Sequence, residues 1–280
     1  MLIRTGYDIR FETEVATPMM AMLSLHPSRN KDLVTSHRIV ASVDVPIYDY
    51  LDGFGNVCTR VTVPAGGLTL SCDFTLEDDG LPDPIALDAV QHAVEELPDD
   101  VLIYLLGSRY CETDRLSETA WSLFGHIAAG WGRVQAIVDF AHNHVQFGYQ
   151  FARPTKTAWD AYQEQQGVCR DYAHLAITLC RCMNIPARYC TGYLGDIDIP
   201  PIPGPMDFSA WFDVYLGDSW HTFDARHNKQ RAGRLLMARG RDATDTALTT
   251  TFGPARLAGF HVHTDEVETI DMDVPPANRP

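Results

Sequence analysis

Residues 167–194 read GVCRDYAHLAITLCRCMNIPARYCTGYL, and the fold class turns on this stretch. Gly167 to Asn184 has the apolar spacing of an α-helix, stopped by Asn184 and Pro186. Its middle is apolar nearly all round, through Leu175, Ala176, Ile177, Leu179, Cys180 and Met183. A helix without a polar face is a buried one, so it is expected at the centre of a core. Strands are expected next, at Ala187 to Leu194, Ala210 to Leu216 and Trp220 to Asp224, with Gly217-Asp218 as a tight-turn signal between the last two.

Upstream, Asp114 to Ala128 and Gly130 to Val145 read as helices; in the second, Val134, Ile137, Val138, Ala141 and Val145 share one face. Residues 1–80 carry strand signals instead: Leu2 to Phe11, Ile39 to Val45, Val57 to Val63 and Leu68 to Phe74. Asp52-Gly53, Gly55-Asn56 and Gly66-Gly67 punctuate them, a spacing that fits a β-sandwich or barrel. The acidic stretch Glu77 to Pro84 reads as a linker, and Leu87, Val90, Val94 and Leu97 predict a short helix over Ala86 to Leu97. Residues 196–208, with Pro200, Pro201, Pro203 and Pro205, read as a loop. The tail after 245 is expected to add strands, and its Pro-ended terminus to fray. The expected organisation is therefore α+β. A β-sandwich-like domain spans 1–80, a linker and lead-in segment 81–111, and a core with carboxy-terminal strands 112–280.

Composition narrows the function. The 280 residues hold 22 Lys plus Arg against 37 Asp plus Glu, a formal charge of −15. Nucleic-acid phosphates and anionic membranes call for a basic footprint, so neither is expected as a partner. No apolar run of about 18 residues suggests a membrane span. The start, MLIRTGYDIRFETEV, reads as alternating strand and lacks the apolar region of a signal peptide. Seven cysteines, an odd number, favour free thiols and a reducing cytoplasm.

Cys169 carries the sharpest chemical signal, because it stands where the buried helix begins. Unpaired backbone N–H groups and the helix dipole favour a thiolate there, and a thiolate is the nucleophile. Arg170 adds positive charge if its side chain turns that way. Cys180, Cys182 and Cys190 read as packing, and Cys-x-Cys within a helix lacks the usual zinc spacing. His142 and His144 are two apart on a helix, the wrong spacing for one metal face, so no metal and no cofactor are expected.

The stretches GVCRDYAHLAITLCRCMNIPARYCTGYLGD, AWFDVYL and WHTFDARHN, in this order, resemble the bacterial transglutaminase-like superfamily, its papain-like cysteine-protease type. The resemblance covers about 112–230, and the β-rich start is similar to the amino-terminal domain that often precedes that core. It implies acyl transfer or amide hydrolysis by a Cys–His–Asp triad. By position Cys169 matches the nucleophile and Asp224 the acidic orienter. Where the family has His before Ala-Trp, this chain has Ser209, which cannot serve as a neutral-pH base of the imidazole kind.

Three histidines are weighed as replacements. His174 lies about 140° round the helix from Cys169 and reads as core. His221 is an odd number of residues before Asp224 on one strand, so it faces away. His227 follows Asp224 where the strand should end. A two-residue hairpin loop sets Asp224 opposite Trp211 on the Ser209 face, with His227 turned away unless the chain has left the strand. A three-residue loop sets His227 opposite Ser209 and turns Asp224 away unless a bulge intervenes. The expected catalytic set is Cys169, His227 and Asp224, acting on a peptide or protein amide. The alternatives are a catalytically silent peptide- or protein-binding domain, motivated by Ser209, and a thiol redox sensor. Trp211 and Trp220 read as walls of the strand pair, Asp171 and Arg170 as a helix cap, and Tyr149 as a candidate oxyanion donor.

Overall fold

The computed structural model describes residues 1–200 and 206–269. Residues 201–205, within the expected loop, and the expected fraying tail from 270 lie outside the described residues. The amino-terminal part contributes β1 (Leu2–Glu12), β2 (Thr17–Ala21), β3 (Val40–Ala41), β4 (Tyr48–Leu51), β5 (Val57–Val63) and β6 (Leu68–Glu77). The core follows with α1 (Thr113–Phe124), α2 (Trp131–His144), β7 (Gln146–Phe147), α3 (Ala158–Glu164), β8 (Gln166–Gly167) and α4 (Cys169–Cys182). Then come β9 (Ala187–Leu194), β10 (Ser209–Leu216), β11 (Ser219–Phe223), β12 (Arg234–Gly240), β13 (Thr249–Thr251) and β14 (Arg256–Val267).

The architecture is α+β. Two four-stranded sheets, β14-β1-β6-β3 and β13-β2-β5-β4, form the amino-terminal β domain around Ile3, Ile9, Phe11, Leu70, Phe74 and their neighbours. A third sheet, β11-β10-β9-β12, belongs to the helical core. Helix α4 lies between this sheet and α1, α2 and α3. Every α4 residue from Asp171 to Cys182 is buried, as the all-round apolar pattern requires. Asp171 caps the helix by accepting the Val168 N–H at 2.9 Å.

Three expectations change. Ala86 to Leu97 is not a helix; short 3₁₀ turns at Val94–Glu96 and Asp99–Leu105 replace it. Leu87, Val90 and Val94 are exposed and only Leu97 is buried, so most of that stripe has no core to face and little offsets the ordering cost. Of Ile39 to Val45 only the two residues of β3 pair. The carboxy-terminal strands, placed with the core from the sequence, pair with the β domain instead. β14 runs antiparallel to β1 along its whole length, and β13 pairs with β2. A strand's alternation records that one face will be buried, not which sheet supplies the cover. Helix α3, opened by a capping box between Thr157 and Asp160, and strands β2, β4, β7, β8 and β12 are additions to the expected elements.

Gly217 and Asp218 both have positive φ, +53° and +63°, and close a two-residue hairpin between β10 and β11. Phe212 therefore pairs with Phe223, which selects the first of the two registers above.

His174 is fully buried on α4, stacked on Tyr110 with ring centroids 5.0 Å apart, and its Nε2 accepts the Ala243 N–H at 3.1 Å. Burial lowers its pKa from 6.5 to about 3; Asp242 opposes this, and Arg170 and Arg181 add to it. The stabilising neutral form is complete above the unfolded value and is lost as pH falls through the window between them. Between pH 7 and 5 the unfolded chain gains a proton that the folded chain refuses, costing about 2 kcal/mol. Urea unfolding at these two pH values is expected to show that loss in wild type and a smaller one in His174→Gln.

Candidate active site

Cys169 is the first residue of α4, and its position is set from two sides. Phe147 and Gly167 pair in the short parallel ladder β7–β8, which delivers Val168 and Cys169 to the helix start. Ala210, second residue of β10, directs its backbone N–H toward the sulfur and favours the anion. Six of the seven cysteines are buried; Cys169 alone is partly exposed.

The thiol is not the low-pKa group expected from a helix start. Desolvation pushes it up to about 11, and Asp207 and Asp224 push the same way. Arg226 and the Ala210 N–H act against this without overcoming it. Arg170 gives no help, since its NH2 group donates to the Arg153 carbonyl at 2.6 Å and its guanidinium lies over Tyr110. Arg226 takes the place considered for it, with its guanidinium carbon 3.9 Å from the centre of the Phe147 ring.

Strand β11 ends at Phe223, and the chain turns over residues 224–228. Asp224 organises the turn. Its Oδ1 accepts the N–H groups of Arg226 and His227, both at 3.0 Å, and its carbonyl accepts the Asn228 N–H at 2.8 Å. Asn228 takes the left-handed φ of +49° that an asparagine tolerates. His142 on α2 holds the turn from behind, with Nδ1 2.9 Å from the Arg226 carbonyl. The chain has thus left the strand before His227, the condition under which the two-residue register lets that side chain fold back.

His227 does so: its Nδ1 lies 2.8 Å from Asp224 Oδ2. A carboxylate only accepts, so Nδ1 donates, and in the neutral ring Nε2 is the acceptor. Asp224 is buried, which raises its pKa. The charge of Arg234 and the hydrogen bonds from His227 outweigh that and hold it well below the usual carboxylate range. Asp224 and His227 are therefore joined directly. Cys169 lies in the electrostatic field of Asp224 and Arg226, and among the described residues no hydrogen bond links its sulfur to His227.

Ser209 opens β10, is buried, and pairs with Gly192; its carbonyl accepts the Thr191 hydroxyl at 3.0 Å. His221 packs on Trp131, with Nε2 3.1 Å from the Leu216 carbonyl, away from Asp224. Asp213 is buried, bound to Arg188 at 2.9 Å and to Thr222 at 2.9 Å. Trp211 lies beneath the Arg234 guanidinium and Trp220 beneath that of Arg188, as walls of the strand pair. Tyr149 is half exposed and interacts with Arg226 near the thiol. Arg226, Asp207 and Arg234 were missed from the sequence. Arg226 lay in plain view inside Asp-Ala-Arg-His-Asn, whereas Arg234 is brought in only by the return of β12. Among the described residues no group of three or more His, Cys, Asp or Glu side chains could hold a metal ion, and no helix is long and apolar enough to cross a membrane.

The transglutaminase-like superfamily profile matches residues 125–225, which hold Cys169, Ser209 and Asp224. A protein of Cytophaga hutchinsonii, described as a candidate cysteine protease, superimposes over 97% of this chain and 92% of its own, with 28% identity and a TM-score of 0.83. An uncharacterized protein of Mycobacterium leprae is 32% identical over 91 residues, 31% of this chain. The match spans about a third (32%) of that curated relative's length. The chain carries the fold of the bacterial transglutaminase-like and cysteine-protease superfamily, with an amino-terminal β domain.

Arg226→Gln removes the charge opposing desolvation of the thiol. The midpoint of iodoacetamide alkylation at Cys169, followed by peptide mass spectrometry against pH, is expected to rise in this variant. In Asp207→Asn it is expected to fall.

Proposed function

We propose that the chain is a thiol-dependent acyltransferase or amide hydrolase acting on peptide or protein amides. Cys169 is the nucleophile, His227 the base and Asp224 its orienting carboxylate. The observation that carries the reading is the Asp224–His227 hydrogen bond of 2.8 Å, formed in the turn after β11. It supports an imidazole–carboxylate pair in a chain that has Ser209 at the usual histidine position, with Nε2 on the ring edge away from the carboxylate.

The chemistry follows from these roles. Cys169 Sγ attacks the amide carbon while His227 Nε2 takes the thiol proton. A thiol pushed up to about 11 makes that transfer necessary, because little thiolate exists at neutral pH without it. The first-turn N–H groups of α4 face the oxyanion that forms. The proton then moves from His227 to the departing amine, leaving a thioester. Water releases the acyl group in a hydrolase, and a second amine takes it in a transferase.

The second reading is a silent peptide-binding domain, favoured by Ser209 and by the raised thiol. A peptide vinyl sulfone, which traps a nucleophilic cysteine as a thioether, separates the two. Under the proposal wild type forms an adduct on Cys169, Cys169→Ala forms none, and His227→Ala slows labelling by roughly 10²-fold or more. A folded wild type that binds the peptide without labelling Cys169 establishes the silent domain instead.

A further inference from the structure

Arg234 is the first residue of β12, and its side chain is only 7% exposed. Its Nε donates to both carboxylate oxygens of Asp83, at 3.1 and 2.9 Å. Its NH2 donates to Asp224 Oδ2 at 2.9 Å, the same oxygen that His227 Nδ1 reaches. The guanidinium carbon stands 5.1 Å from the centre of the Trp211 ring. One flat cation is thus fixed between two carboxylates, a geometry that a lysine ammonium cannot reproduce.

Asp83 is itself held on both sides. Its N–H donates to the Arg231 carbonyl at 3.1 Å, and its Oδ2 accepts the Arg231 N–H at 3.0 Å. Arg29, in the 3₁₀ turn Pro27–Asp32, donates through Nη1 to the Arg234 carbonyl at 3.1 Å and pairs through Nη2 with Asp78 at 2.8 Å. Asp78 and Asp83 both lie where the chain leaves the β domain for the core.

We propose that Asp83 and Arg234 are positioning residues for the Asp224–His227 pair, so that the segment leaving the β domain sets the carboxylate on which the imidazole hangs. The inference rests on the roles given above to Asp224 and His227. Geometry and charge act together. Geometrically, Arg234 pins the oxygen that receives His227, leaving the carboxylate one orientation. Electrostatically, Arg234 offsets the charge of Asp224 in a buried place, and Asp83 holds that cation where it does so.

The test uses the full chain labelled with ¹⁵N. The His227 Nδ1 proton, bound to a carboxylate, is read as a downfield imidazole resonance, assigned by its loss in His227→Gln. The Ala243 amide, bound to His174, reports that the fold is intact. Asp83→Asn is expected to lose the His227 resonance to solvent exchange while the Ala243 signal stays; Asp83→Glu is expected to retain both. If Asp83→Asn does not fold, the double variant Asp83→Asn/Arg234→Met removes the cation together with its partner, and it too is expected to lose the resonance. A folded Asp83→Asn or double variant with an unchanged His227 resonance overturns the proposal. The resonance reports the Asp224–His227 bond alone, so its outcome is independent of whether Cys169 reacts with the vinyl sulfone.

Discussion

A carboxylate at Asp224, almost without access to water, is the constraint on which the site depends. A buried charge is tolerated only when its partners replace the lost hydration. Here Arg234 supplies a countercharge, and the Arg226 N–H, the His227 N–H and the His227 ring supply hydrogen bonds. Meeting that demand shapes the chain. It stops β11 at Phe223, curls residues 224–228 into a turn, and draws His227 back along it. It also recruits β12, whose first residue is the cation. The imidazole's place thus follows from the electrostatics of one buried acid.

The other half of the site has a different origin. Cys169 sits where it does because α4 must be central: the helix begins half-buried, at the edge of the core it then enters. The dipole and free N–H groups of a helix start favour a thiolate, but burial acts on the same atom and wins. The balance is adjusted by charges from distant parts of the chain: Asp207 before β10, and Asp224 and Arg226 after β11. Cys169 is therefore held as a thiol that, as the proposed nucleophile, needs a base, which is the purpose proposed for His227.

Much of this was legible in the sequence. The all-round apolar run from Leu175 to Met183 placed α4 in the core, and Gly217-Asp218 marked the hairpin. The motif order around Cys169 and Asp224 pointed to the superfamily fold. The register of β10 and β11 remained open because it depends on loop conformation, and the positive φ of Gly217 and Asp218 settled it. Contacts between distant segments were not legible. Nothing local states that β14 returns to β1, that Arg170 turns to Tyr110, or that Asp83 and Arg234 meet behind Asp224. The Ala86 to Leu97 stripe misled because helical spacing is informative only where a core exists to receive it.

The central claim is that His227 serves Cys169 in place of the residue missing at Ser209. The most direct measurement is the pH profile of iodoacetamide alkylation at Cys169 in wild type and in His227→Ala. The account predicts a wild-type midpoint below that of the variant, because His227 accepts the thiol proton and stabilises the thiolate. Superimposable profiles in two folded proteins would contradict it, since they would leave the thiol governed by burial, the Ala210 N–H and the charges of Arg226, Asp207 and Asp224, with no part for His227.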